Sequence, residues 1–378
     1  MNDKEIYHVK VKKEDAQYFI GLLERFSKEK SIIYKNFKVI QENKHVLFPI
    51  DYEEINIKKI ISSVAKSLKI EIVKRKGVLN KDFKFKTLED ALISKIPKKY
   101  LEQIPKSFDI IGNIAIIELD MFDMSTSETD IKNEIALAII EVNKNVKSVF
   151  EKVGEINGVY RLRKLRFIRG INNKETIHKE NNCNFNLDIE KTFFTPRLLS
   201  ERKRISNNNF ESNEKIVDLF AGVGPFSIQI AKNNDVNIYC FDINPDAFKY
   251  LNKNIKLNKL KGTIHPILLN VNDLLNNSNQ IGARLKHKID RVIMNLPESS
   301  LSFINIACHL IKKEGGIIHN YQFCDKPNSV EKAIDNIKNV LNDKNWKLCN
   351  VNYAKVLKHI SAKKDMIVID AYIKKPEN

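Results

Sequence analysis

A chain of 378 residues with 43% hydrophobic side chains is long enough for two or three domains with real cores, which excludes a disordered polymer. Lysine plus arginine (64) exceed aspartate plus glutamate (47), a formal net charge of +17 that suits nucleic acid or, less often, an acidic membrane surface. Five scattered cysteines without a CxxC pair or a neighbouring histidine exclude a zinc spacing, so reduced thiols, a cytoplasmic setting and no metal are expected. No apolar stretch follows Met1-Asn2-Asp3-Lys4-Glu5 and no run nears the roughly 18 apolar residues of a membrane span, so a soluble protein is expected.

Residues 6–11 read as a strand and Ala16–Phe26 as a helix burying Phe19, Leu22, Leu23 and Phe26. Residues 37–40 and 46–50 read as a hairpin around Glu42-Asn43, and 55–68 as a second helix. Residues 1–77 thus predict a small α+β module with no catalytic constellation. Lys74-Arg75-Lys76-Gly77 is expected to open a polar linker through Asn80-Lys81-Asp82. A second α+β module is expected over 82–189, with strand material at 108–119 interrupted at Gly112-Asn113. Ser127 is placed to cap a helix whose Ile131, Ile135, Ile139, Val142, Val146 and Val149 form a core stripe.

Five cations crowd residues 161–169: Arg161, Arg163, Lys164, Arg166 and Arg169. As a strand, this run would bury Tyr160 and Leu162 and present guanidinium forks on the other face, favouring phosphate or base contact over a merely solvated face. His178-Lys179-Glu180-Asn181 is expected in a turn, its lone histidine structural. Pro196 breaks the chain, and Glu201-Arg202 open a short helix.

Residues 216–227 carry the strongest pattern. An apolar strand ends in Asp218, turns through Gly222 and Gly224, and enters a helix that Pro225 can start. Glycines allow positive φ and close approach to an adenosine-bearing ligand, toward which N–H groups of the helix start point. A second strand ends in Asp242, where a carboxylate can accept both ribose hydroxyls. Ser227 stands where a dinucleotide fingerprint wants a third glycine or alanine, and Asp218 suits a charged amino-acid end. The pattern therefore leans to S-adenosylmethionine over nicotinamide, with an ordinary tight turn as the plain alternative.

Asn244-Pro245 caps a helix over 247–258. Strands 264–269 and 291–294 extend a parallel sheet, the latter ending at Asn295-Leu296-Pro297-Glu298, which puts Asn295 at the ligand-binding edge. A helix over 301–312, the turn Gly315-Gly316 and a strand at 317–319 follow. Runs 347–356 and 366–373 read as an antiparallel pair at the sheet edge, which suits a methyltransferase. The fold class is α/β: a Rossmann-like class I methyltransferase domain over 190–378 behind two smaller N-terminal α+β modules. Glu298 stands where base-amino methylating enzymes carry an aromatic, and no cysteine follows a proline, which argues against pyrimidine-carbon methylation.

Together these motifs resemble the archaeal and eukaryotic type of tRNA (guanine-37-N1)-methyltransferase, which modifies the purine beside the anticodon. The resemblance is carried, in order over 105–320, by Arg161-Leu162-Arg163 with Phe167, His178-Lys179-Glu180-Asn181, Phe194-Thr195-Pro196-Arg197 with Glu201-Arg202, the stretch from Asp218 to Phe226, Asp242-Ile243-Asn244-Pro245 and Asn295-Leu296-Pro297. Residues 1–77 resemble the family's tRNA-elbow-binding domain more loosely. The resemblance implies Glu201 as the general base, Arg161 as the guanine O6 contact, Asn295 orienting the base and Pro297 shaping its pocket. It matches Arg202, Asp242, Ile243, Asn270 and Val271 to positions that hold S-adenosylmethionine, joining Asp218, Gly222, Gly224 and Asn295. It implies tRNA as partner, met by Arg161, Arg163, Lys164, Arg166, Arg169 and Arg197, with the chain a monomer away from membranes.

Three positions depart from the family: Asn270 where Asp is frequent, Phe193 for Tyr, and Leu199-Ser200 where glycines are common. Three alternatives stay open: an aminocarboxypropyl transferase of the tricyclic-guanosine (wybutosine) pathway, a bifunctional methyltransferase of that pathway, and an RNA-binding module that kept the fold. Glu201 could also be a helix-start acid favoured by the dipole.

Overall fold

Branched apolar residues alternating along the first strand set the pattern of the N-terminal region, where Val9 and Val11 are wholly buried. The computed structural model describes residues 5–26, 33–50, 55–80, 83, 85–93, 95–119, 126–154 and 158–377, and the chain divides into the units Met1–Ala91 and Leu92–Asn378. The first unit holds β1 (Glu5–Lys12), α1 (Ala16–Phe26), β2 (Ile40–Glu42), β3 (His45–Ile50), α2 (Ile55–Ala65) and β4 (Glu71–Lys76). Its four-stranded antiparallel sheet has the order β2-β3-β1-β4, and its core joins Val9, Val11 and Phe48 to Phe19, Leu22 and Leu23 of α1 and Ile61 and Val64 of α2.

The expected linker start is corrected here. Lys74, Arg75 and Lys76 pair with Tyr7, Ile6 and Glu5 as the end of β4. An edge strand can carry charge on both faces, so the cations hid it. Lys81 and Asp82, the Phe26 side chain and Met1–Lys4 lie outside the described residues.

The second unit follows α3 (Leu88–Leu92), at the division, and α4 (Lys98–Leu101). Its first sheet contains β5 (Asp109–Ile111), β6 (Ile114–Ile117), β7 (Ser148–Lys152) and β8 (Leu165–Gly170) in that order, with α5 (Thr126–Val142) crossing between the parallel strands β6 and β7. The expected helical stripe runs too far. Ser127 lies inside the first turn, the helix ends at Val142, Val146 closes a turn on Asn143, and Val149 belongs to β7. Isoleucine and valine fit either period, and only the polar break Asn143-Lys144-Asn145 marks the change.

The basic run is corrected as well. Residues 158–161 form a turn and the strand begins only at Leu165, so Tyr160 is exposed rather than buried. β9 (Glu175–Glu180) and β10 (Cys183–Asp188) make a hairpin. His178 and Glu180 are strand residues, and the turn is Asn181-Asn182, whose φ of 46° and 61° is what a two-residue hairpin turn demands.

The last sheet has seven strands. After α6 (Leu199–Ser206) come β11 (Glu214–Asp218), α7 (Pro225–Asn233), β12 (Val236–Asp242), α8 (Pro245–Leu257), β13 (Thr263–Leu268), α9 (Gln280–Leu285), β14 (Arg291–Met294), α10 (Ile304–Leu310), β15 (Gly316–Asp325), α11 (Ser329–Asn342), β16 (Lys347–His359) and β17 (Lys364–Lys374). Their order is β13-β12-β11-β14-β15-β17-β16. The first five run parallel, and β17 is antiparallel to both its neighbours. Neighbouring residues of one strand feed opposite cores: Ile216 and Ile293 pack with Phe226 on one face, Val217 and Val292 with Leu310 on the other. The strand order reverses between β11 and β14, so the crevice for a ligand lies at their carboxyl ends. Among the described residues no helix is long and apolar enough to cross a membrane.

Candidate active site

Four strand ends build one edge of the site. Gly222 (φ 55°) and Gly224 (φ 87°) both hold the left-handed conformation, and a Cβ on Gly224 would lie 2.5 Å from Leu251 Cδ1. Between them the turn sends the Gly222 N–H to Asp242 Oδ2 at 2.7 Å, while Asp242 Oδ1 accepts the Asn244 N–H at 2.8 Å. Each oxygen keeps a lone pair for a ribose hydroxyl. Burial raises the Asp242 carboxyl, and the backbone donors only partly offset this. Asp218 is 1% exposed and accepts from Ser227 Oγ (2.7 Å) and from the Phe220 N–H (3.4 Å). Burial outweighs these bonds and pushes its carboxyl up to about 7. Ser227, read from the sequence as a departure, thus holds the strand-end acid. Ile243 is exposed, and Asn270 caps the 3-10 turn of Val271 through the Asn272 N–H (3.1 Å).

Across the switch point lie the residues expected to do chemistry. Met294 pairs with Asn320, so Asn295 and Tyr321 continue adjacent parallel strands, about 4.8 Å apart. Asn295 Oδ1 is buried and meets no donor among the described residues, a polar group held ready for a ligand. Tyr321 is wholly buried, and its hydroxyl donates to Glu201 Oε1 at 2.8 Å. Glu201, 5% exposed in the first turn of α6, also accepts a two-pronged contact from Arg204 on the next turn, at 2.6 and 2.8 Å. Arg161, 137 residues before Glu298 in sequence, meets it with two bonds of 2.7 and 2.8 Å, so the turn of the basic run closes on the Asn295-Leu296-Pro297 loop. Its φ of 56° is uncommon for a residue with a Cβ and aims the fork there. Pro297 is tied to β15, its carbonyl accepting the Phe323 N–H at 2.9 Å.

Other expected residues are placed differently. Arg202 is 2% exposed. Its fork grips Glu180 at 2.5 and 2.8 Å, its Nη2 also reaches the Thr195 carbonyl at 2.8 Å, and it stacks 5.0 Å from the Phe194 ring, so every bond it makes is internal. Burial works against the Glu180 charge, and His178, Arg202 and Gln229 outweigh it and hold the carboxyl low. Arg163 is buried, 3.4 Å from Asp109 and over the Phe193 ring at 5.5 Å, while the exposed Arg197 takes the other oxygen of Asp109 at 2.7 Å. Lys164 and Arg166 are exposed, and Arg169 is half-buried. A cleft of about 790 Å³ lies apart from these strand ends, lined by Asn113, Asn145, Asn173, Asn186 and His178, whose Nδ1 accepts the Gly112 N–H at 3.1 Å. Sequence reading missed Arg204, Tyr321 and Glu298. Only the three-residue spacing of Glu201 and Arg204 on a predicted helix could have signalled a pair.

These donors fit the expected cofactor: an acid with free lone pairs for ribose, a glycine turn for the adenosine, a buried carboxyl for an ammonium and an orphaned amide oxygen beside them. Fold and site define an S-adenosylmethionine-dependent methyltransferase of class I. Residues 176–349 match the TRM5/TYW2 methyltransferase domain and residues 88–174 the TYW2 N-terminal domain. The tRNA (guanine(37)-N(1))-methyltransferase Trm5b of Pyrococcus abyssi is 45% identical over 231 residues, 61% of this chain and 64% of that relative, just under two thirds of its length. Its namesake from Methanocaldococcus jannaschii is 36% identical over 301 residues, 78% of this chain and 80% of the other. The solved complex of aTrm5 and tRNALeu is similar at TM-score 0.65 and 30% identity, covering 97% of this chain and 99% of that one. The chain belongs to the TRM5/TYW2 methyltransferase family.

Proposed function

We propose that this chain transfers the methyl group of S-adenosylmethionine to N1 of guanine-37 in tRNA, with Glu201 as general base. The observation that carries the reading is the convergence of Glu201, Arg161 and the Asn295-Leu296-Pro297 loop on the carboxyl ends of β11, β14 and β15, from three stretches far apart in sequence. The names of the two relatives support the same substrate. When bound, the cofactor supplies an electrophilic methyl on a sulfonium. Guanine N1 carries a proton at neutral pH, so a base must take it as the methyl arrives. Glu201 has the place and the free lone pair. Arg161, released from Glu298, stabilises the negative charge that spreads to O6, and the orphaned Asn295 Oδ1 accepts from the N–H groups of the base edge.

In this reading residues 1–77 dock the tRNA, residues 82–189 hold its anticodon region, and residues 190–378 carry the chemistry, the enzyme working as a monomer in the cytoplasm. Aminocarboxypropyl transfer to a tricyclic guanosine is the second reading, favoured by the match of residues 88–174 to the TYW2 N-terminal domain. The test is a nuclease digest of tRNA transcripts with guanine or adenine at position 37 after incubation with S-adenosylmethionine, read by mass spectrometry. N1-methylguanine at that position alone supports methyl transfer, and an added aminocarboxypropyl mass on a tricyclic precursor moves the assignment to the second reading. Glu201→Gln is expected to lower single-turnover methylation by ~10²–10⁴-fold with S-adenosylmethionine affinity unchanged.

A further inference from the structure

Below Glu201, three neighbouring strands place polar side chains on an otherwise apolar face. His319 of β15 and Asp370 of β17 are cross-strand partners, and Tyr353 of β16 pairs with Asp370 from the other side. The two-residue period of a strand returns Tyr321 to the face of His319. α6 lays Arg204 on this floor, 4.0 Å from the centre of the Tyr353 ring. Arg204 Nη1 donates to Asp370 Oδ2 at 2.6 Å while Nε and Nη2 hold Glu201. His319 Nδ1 lies 2.6 Å from Asp370 Oδ1, and its Nε2 lies 3.2 Å from Nη1 of Arg291, whose Nε donates to Glu214 at 2.7 Å.

A guanidinium only donates, so Nε2 of His319 accepts and the ring proton sits on Nδ1, donated to Asp370. The imidazole in this arrangement is uncharged. Three carboxylates (Glu201, Asp370, Glu214) therefore face two guanidiniums (Arg204, Arg291), and all but the half-buried Arg204 are buried. One unbalanced negative charge in a dry environment is costly, and a proton on Glu201 removes it.

We propose that Arg204, seated on Asp370 and His319, is a positioning residue that fixes Glu201 and tunes its affinity for the guanine N1 proton. The proposal rests on the methyl-transfer reading above. In the step, the N1–H bond breaks and its proton goes to a Glu201 oxygen. The N1 electron pair forms the bond to the methyl carbon, and the electrons of the broken S–CH3 bond stay on sulfur. Arg204 keeps Asp370 as its counter-charge throughout, so protonating Glu201 strands no guanidinium. Among the described residues the ionisable groups about Glu201 are Arg204 of its own helix, Tyr321 and His319 of β15, Asp370 of β17 and Tyr353 of β16. α7, which packs on α6, brings its lysine, Lys232, near Cys183.

Removing the two partners moves the base in opposite directions. Asp370→Asn leaves Arg204 to Glu201 alone, so the acidic limb of the single-turnover pH profile is expected to shift down by about one unit. Arg204→Gln removes the cation, so the limb is expected to shift up by about one unit and the plateau to fall at least ~10-fold. Arg204→Lys keeps the charge without the fork, leaving the limb near its original place with a reduced plateau. The measurement is single-turnover methylation of tRNA between about pH 5 and 9, with S-adenosylmethionine binding and cooperative melting recorded for each variant. Opposite shifts in folded variants support the proposal. Limbs that stay put, or move the same way, overturn it. If a variant fails to melt cooperatively, Arg204→Lys decides, since a limb displaced like that of Arg204→Gln denies the charge its role. A wild-type enzyme that makes no N1-methylguanine refutes the functional reading itself, whereas an active wild type with unmoved limbs refutes only the tuning.

Discussion

Asp218 combines a strand-end position, complete burial and a carboxyl pushed up to about 7, burial being the chief cause. A cationic amino-acid end bound beside it draws the carboxyl back toward its ordinary range, so binding releases protons. The sign follows: affinity for S-adenosylmethionine should rise with pH up to about 7 and level off above, with about half a proton released at pH 7. Calorimetry in buffers of different ionisation enthalpy measures that release. Asp218→Asn should abolish both the release and the slope, and a slope that survives the substitution would place the titrating group elsewhere. This acid was legible in the sequence because it sits four residues before a glycine turn, all within one local motif. Arg204 and Glu298 were not. Arg204 lies 166 residues from Asp370 and Glu298 lies 137 residues from Arg161, and no local pattern encodes such meetings.

At the scale of elements, the end of β9 is fastened to α6 by Glu180 and Arg202, which are 0% and 2% exposed at their side chains. Gln229 of α7 adds a bond of 2.5 Å to the same carboxylate, and Asn181 bridges to Gln229 at 2.7 Å and to the Leu199 carbonyl at 3.1 Å. The hairpin therefore holds the helix that carries Glu201. Glu180→Gln leaves the Arg202 guanidinium buried without its counter-charge and should destabilise the unit by about 3–5 kcal/mol. Adding Arg202→Met should recover much of that loss, because an apolar side chain of similar volume needs no partner there. Urea unfolding of the three variants checks it, and a double variant no better than the single would show that the fork itself is needed for packing. Strands and helices with one apolar face, from β11 to β15 and α1 to α8, were readable by period. β4, with cations on an edge, and α11, in a polar stretch with apolar positions at Ala333, Ile337 and Leu341, escaped notice. Their burial comes from packing against other elements rather than from a run of apolar residues.

For the whole molecule, the +17 charge becomes an argument only where cations are free to meet phosphate. Arg163 is buried against Asp109 and Phe193, so it belongs to the scaffold in this conformation. Lys164, Arg166 and Arg197 are exposed, and Arg169 is half-buried. With Arg161, these make a small set of contacts, each releasing counterions when it meets a phosphate. Some five contacts predict that tRNA affinity falls roughly a hundredfold or more between about 50 and 200 mM salt. Single variants sort the set. Lys164→Ala or Arg169→Ala should lower the slope of log Kd against log salt by about one each. Arg163→Ala should leave the slope alone and weaken the fold instead, through Asp109 left buried without its partner. Equilibrium binding across the salt series, beside a melting curve for each variant, separates the two kinds of arginine. A flat salt dependence would mean that tRNA is held by another face, and a slope lost with Arg163 alone would mean that Asp109 releases it when tRNA binds.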